Sequence, residues 1–136
     1  MDIPHDRGLE GHSDADVLSH AIADAVLGAL GLNDIGFFFP PSDDSIEGIS
    51  SMDILKKVRH LAEERSAWLH DIDSTLVAEQ PKILPHVERM KQSISEALGI
   101  DHSQVGIKAT TNELMGFVGR GEGIAALAVA SVEIRE

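Results

Sequence analysis

The chain has 136 residues, 43% hydrophobic and 25% charged, with a formal net charge of −12 and no cysteine. The charge argues against a nucleic-acid surface or an anionic membrane, because phosphate contacts need a basic surface. The 4% aromatic content without tyrosine argues against base stacking. The missing cysteines exclude disulfides and cysteine-based zinc or redox centres. A small phosphorylated ligand stays compatible, since metal ions and backbone N–H groups can meet its charge.

Length and composition suit one domain with a real core. No apolar run approaches the roughly 18 residues of a membrane helix. Met1-Asp2-Ile3-Pro4-His5-Asp6-Arg7 does not read as a signal or transit peptide, so a cytoplasmic, bacterial setting is expected.

Residues 1–13 read as a loop punctuated by Pro4, Gly8 and Gly11. Ser13 or Asp14 is the expected cap of a helix over 14–30, with Val17, Leu18, Ala21, Ile22, Ala25, Val26, Ala29 and Leu30 at helical spacing and Gly31 as its end. Asp16, His20 and Asp24, four apart, form a polar stripe on that helix. Two readings stay open for it: part of a metal site, or ordinary polar residues on a surface helix.

Asn33-Asp34-Ile35-Gly36 is turn chemistry. Phe37-Phe38-Phe39 follows, readable as a buried run or a contact between subunits. Ser50 or Ser51 caps a second helix over 51–65, and a strand is expected over 69–79. Gln80 to Pro85 stops it, and a third helix over 85–98 ends at Gly99. Strands are expected over 104–110 and 124–134, around a glycine-rich loop. The pattern predicts a small mixed α/β sheet (α+β) with helices on one face. Three strands are few, and such a sheet wants another strand or a partner chain.

Gly119-Arg120-Gly121-Glu122-Gly123 fits an anion-binding loop, although glycine-rich connections between strands are common. Thr110, Thr111 and Glu113 at a strand end suit phosphate plus a divalent cation, and equally a capped helical turn. Lys82, between Pro81 and Pro85, is either a phosphate contact or a solvated lysine. His5, His60, His70, His86 and His102 are expected to be surface or structural.

These pieces together resemble the 2-C-methyl-D-erythritol 2,4-cyclodiphosphate synthase family. The blocks are Ile3-Pro4-His5-Asp6-Arg7-Gly8, His12-Ser13-Asp14-Ala15-Asp16-Val17 with His20 and Asp24, and Gly31-Leu32-Asn33-Asp34-Ile35-Gly36 with Phe39-Pro40. Gln80-Pro81-Lys82-Ile83-Leu84-Pro85-His86, Lys108-Ala109-Thr110-Thr111-Asn112-Glu113 and Gly116-Phe117-Val118-Gly119-Arg120-Gly121-Glu122-Gly123 follow in order. They cover essentially the whole chain as one cyclodiphosphate synthase domain.

The resemblance implies a homotrimer with active sites between subunits. The implied reaction converts 4-diphosphocytidyl-2-C-methyl-D-erythritol 2-phosphate to the 2,4-cyclodiphosphate with release of CMP, in the non-mevalonate isoprenoid pathway. It implies His20 as a ligand of zinc or a similar divalent ion, and Glu113 as a ligand of magnesium or manganese. His12 and Ser13 would meet substrate phosphate, with His12 and Thr111 stabilising the transition state. Asp34, Ile35, Gly36, Phe39, Pro40 and Asp43 would line the erythritol pocket. Ala78, Glu79, Gln80, Pro81, Lys82, Ile83 and Leu84 would hold the cytidine end, and Thr110, Thr111, Asn112 and Glu113 the diphosphate. Phe117 and Arg120 would lie near the substrate and a threefold channel that takes an isoprenoid diphosphate in some members.

Two departures stand out. The family's chains begin with a strand carrying Gly-x-Gly-x-Asp-x-His, whose Asp and His complete the zinc site, and no such block precedes Ile3. The chain is therefore expected to lack the N-terminal strand and hairpin, as a truncated product or mis-set start of an active enzyme. The alternatives are weak activity with substrate recruiting the metal, or an inactive relative that trimerises and binds cytidine nucleotide or isoprenoid diphosphate without turnover. Pro41 stands where the family usually has an aspartate that binds substrate hydroxyls; Asp43 keeps the second acidic position.

Overall fold

A computed structural model describes residues 8–39, 50–77, 86–110 and 125–134, with the side chains of the first segment described from residue 16 onward. Helix α1 spans Gly8–Ala29 and places Leu18, Ile22, Ala23, Val26 and Leu27 in the core with no exposed surface. Leu18, Ile22 and Val26 recur every four residues, which is why one face is buried. Gly31 takes a left-handed conformation (φ 73), and Leu32 N–H returns to Leu27 O at 2.9 Å. That closes the helix with a glycine in the conformation other residues resist.

The expected loop over 1–13 is corrected in its second half, because α1 already begins at Gly8. No proline lies between residues 8 and 29. Gly8 and Gly11 each weaken a helix by only about 1 kcal/mol, which a packed helix absorbs. His12 and Ser13 therefore belong to the early turns of α1 rather than to a loop ahead of it.

The turn expected at 33–36 becomes the one-turn helix α2, Ile35–Phe38, capped by Asp34, whose carboxylate accepts from Phe37 N–H at 3.2 Å. Phe38 and Phe39 pack against the core while Phe37 is exposed, so the phenylalanine run is divided between core and surface. Helix α3, Ser51–Glu64, starts at the expected serine pair: Ser50 Oγ accepts from Asp53 N–H at 3.2 Å.

Strand β1 (Ala67–Val77), helix α4 (Val87–Leu98) and strand β2 (Val105–Thr110) form a strand–helix–parallel-strand unit. Gly99, at φ 69, ends α4 as expected. A 3-10 turn at His102–Gln104 leads into β2, where Asp101 accepts from Ser103 N–H at 2.9 Å. That backbone hydrogen bond, with the Ser103 hydroxyl, holds the Asp101 carboxyl below the usual carboxylate range. Strand β3, Ala125–Ile134, pairs antiparallel with β1, giving the order β2-β1-β3.

Alternation then assigns the two faces. Ile72, Ser74 and Leu76 of β1 and Val105 and Ile107 of β2 point into the core shared with α1, α3 and α4. Asp73 and Thr75 pair with Val129 and Leu127 on the opposite, open face. The mixed α/β sheet with helices on one face is as expected.

Candidate active site

Two groups of residues carry the chemistry. The first is the end of the sheet where the parallel strands finish. Val77, the last residue of β1, pairs with Thr110 at the end of β2 and with Ala125 at the start of β3. All three segments expected to hold substrate leave from this line: 78–84 after Val77, Thr111 onward after Thr110, and the glycine-rich stretch before Ala125. Ligands bind beyond the carboxyl ends of parallel strands because the connecting backbone there is free to shape a pocket. Thr110 is exposed on the open face. Beside it Lys108 Nζ donates to Asp73 Oδ1 at 2.5 Å across the β1–β2 pair.

The second group is the polar stripe of α1. His20 is exposed between two carboxylates that are each engaged elsewhere. Asp24 Oδ1 accepts from the backbone N–H of Ile35 at 2.8 Å. Asp16 Oδ1 accepts from the hydroxyl of Ser51, the buried first residue of α3. Asp34, Ile35 and Gly36 thus sit against α1, and a Cβ at Gly36 would lie 3.4 Å from Asp34 Oδ1. Phe39 N–H donates to Ile35 O at 2.7 Å and closes the same turn.

Among the described residues no three His, Cys, Asp or Glu side chains stand close enough to hold a metal ion. A protein zinc site needs three or four donors. The described part of the chain offers His20 and does not hold zinc by itself. The engagements of Asp16 and Asp24 are what sequence reasoning missed. Spacing put them on one face, but their partners come from packing.

Backbone alone is described for His12 and Ser13. Pro40, Pro41, Asp43, Ala78, Glu79, Gln80, Pro81, Lys82, Ile83 and Leu84 lie outside the described residues, as do Thr111, Asn112, Glu113, Phe117 and Arg120. Three other histidines have carboxylate partners on the surface: His60 with Glu64 at 3.1 Å, His70 with Glu133 at 3.6 Å and His102 with Glu88 at 2.8 Å. The Glu64 partner was readable from its spacing of four. An open groove of about 730 Å³ lies at the other end of β1, lined among others by Arg59, Glu63, Trp68 and Gly99. It is remote from Val77 and Thr110 along the strand.

Known proteins resemble this chain along most of its length. The YgbB family model matches residues 1–133. A 2-C-methyl-D-erythritol 2,4-cyclodiphosphate synthase of Akkermansia muciniphila is 57% identical over 134 residues, covering 98% of this chain and 79% of that protein. The enzyme of the same name from Alkaliphilus metalliredigens is 53% identical over 132 residues, 97% of this chain and 83% of that protein. Among solved structures, the bifunctional IspDF of Campylobacter jejuni superposes with a TM-score of 0.84 at 36% identity, over 88% of this chain and 32% of that one. The Plasmodium falciparum IspF–CDP complex gives 0.78 at 29% identity, over 98% of this chain and 76% of that one.

Proposed function

This chain belongs to the YgbB family of 2-C-methyl-D-erythritol 2,4-cyclodiphosphate synthases, and from that premise we propose how its residues share the reaction. The reaction cyclises 4-diphosphocytidyl-2-C-methyl-D-erythritol 2-phosphate and releases CMP. An oxygen of the 2-phosphate forms a bond to the β-phosphorus. The bond from that phosphorus to the oxygen bridging the α-phosphorus breaks, and that oxygen leaves with CMP. Such a transfer needs little covalent help from the protein; it needs two anionic groups held in line and their shifting charge stabilised.

The observation that carries the reading is the convergence of Val77, Thr110 and Ala125 at one end of the sheet. From that end Thr110, Thr111 and Asn112 hold the diphosphate, and residues 78–84 take the cytidine end. Thr111 donates to the phosphoryl oxygens as charge builds in the transition state. The α1 group supplies the other half: His12 and Ser13 at the 2-phosphate, and Asp34, Ile35 and Gly36, with Phe39, against the erythritol. A divalent-metal cofactor follows from family membership, and when bound it neutralises phosphate charge. His20 would supply one ligand to a zinc ion that needs further donors, and Glu113 would hold magnesium or manganese.

The two halves meet between neighbouring subunits of a homotrimer. The open sheet face supports this, with Leu127 and Val129 exposed on β3 where a water-facing strand would carry polar side chains. The test is CMP release by this chain with zinc and magnesium. Wild type turns over, and His20→Ala and Thr111→Ala each lower kcat/KM by about 10²–10³-fold while the fold survives. Unchanged rates in both variants would remove those roles. Calorimetric nucleotide binding without CMP release would replace the enzyme reading with that of a binding protein.

A further inference from the structure

We propose that Asp24 and Asp16 are positioning residues, through which α1 fastens the first residues of α2 and of α3 on either side of His20. Asp24 lies one turn after His20 and accepts from the N–H of Ile35, eleven residues on, at 2.8 Å. Asp16 lies one turn before His20 and accepts from the Ser51 hydroxyl, 35 residues on. The stripe that suggests a metal site is therefore one histidine between two fasteners.

The chemistry suits that task. The first N–H groups of a helix have no partner within it. In α2 the Asp34 carboxylate takes the N–H of Phe37 and the Asp24 carboxylate takes that of Ile35. A helix of four residues does not stand on its own propensity, so carboxylate hydrogen bonds from both sides define where Asp34, Ile35 and Gly36 sit. At α3 the division is similar: Ser50 caps Asp53 N–H, and Asp16 takes the hydroxyl of the buried Ser51. A shift of α1 moves His20 and the 34–36 turn together. The inference rests on the reading of 34–36 as a substrate wall.

What Asp24 contributes is an acceptor oxygen, not a charge near the metal or the phosphates. Asp24→Asn keeps an acceptor oxygen and loses the charge, whereas Asp24→Ala loses both, so the two variants separate the roles. The experiment measures amide exchange at Ile35, and KM and kcat for the diphosphocytidyl substrate. In Asp24→Ala the Ile35 amide exchanges about tenfold faster. KM rises about tenfold while kcat stays within about threefold, because a misplaced wall costs binding first. Asp24→Asn restores both exchange and KM. Unchanged exchange in Asp24→Ala overturns the fastening, and an Asp24→Asn variant as impaired as Asp24→Ala overturns the acceptor role. Faster exchange with unchanged KM overturns the part of Asp24 in the reaction, and locates the fault in the reading of 34–36 as wall.

Discussion

The two faces of the sheet follow one alternation and meet different surroundings. On the inner face Ile72, Leu76 and Val105 are at most 1% exposed beneath the helices. On the outer face Leu127 and Val129 are 66% and 72% exposed, beside Asp73 and Thr75. The inner residues hold the fold together. The outer apolar residues are mostly exposed on a face without helices, the kind of surface that the proposed contact between chains would cover.

Breaking the inner face has the largest effect. Leu76→Ala removes a fully buried side chain and lowers the unfolding free energy by about 2–5 kcal/mol; urea denaturation reads this, and a loss under about 1 kcal/mol would show that the inner face is not the core. Leu127→Asp leaves the chain folded, since its side chain is mostly exposed, and shifts sedimentation from the proposed trimer to single chains. An unchanged assembly would take β3 out of the interface. Lys108→Ala removes an ion pair whose partners are 60% and 64% exposed, so it changes stability by no more than about 1 kcal/mol.

The smallest effect is at the 3-10 turn. The Asp101 carboxyl titrates below its unfolded value, held down by its hydrogen bonds to Ser103. A depressed carboxylate contributes stability that is fully present above the unfolded value and is lost as pH falls through the folded one. Asp101→Asn therefore flattens a slight acid-side slope in stability and leaves neutral pH nearly unchanged, which thermal melts across that range can resolve.

Much of the architecture was legible because its signals are local. Ser50, Gly31 and Gly99 mark helix ends by their own backbone and side-chain chemistry, and each does so here. The strands expected over 104–110 and 124–134 are found at Val105–Thr110 and Ala125–Ile134. The start of α1 was missed because Gly8, Gly11, Ser13 and Asp14 carry turn and cap signals, yet the helix runs through them. At Asp34 the same capping chemistry serves a turn and a one-turn helix, so sequence alone did not separate them. At the site, spacing placed Asp16, His20 and Asp24 on one face. Partners 11 and 35 residues away depend on where α2 and α3 pack, and no local pattern encodes them.

In the proposed trimer the helix stripe of one subunit and the strand ends of its neighbour form one site. Mixing two inactive variants, His20→Ala and Thr111→Ala, and letting subunits exchange tests it directly. A site shared between neighbours pairs an intact stripe with an intact strand end in about a quarter of interfaces by random assortment, so CMP release returns to about that fraction of wild type. Mixtures as inactive as either parent, in trimers shown to have exchanged subunits, would contradict it.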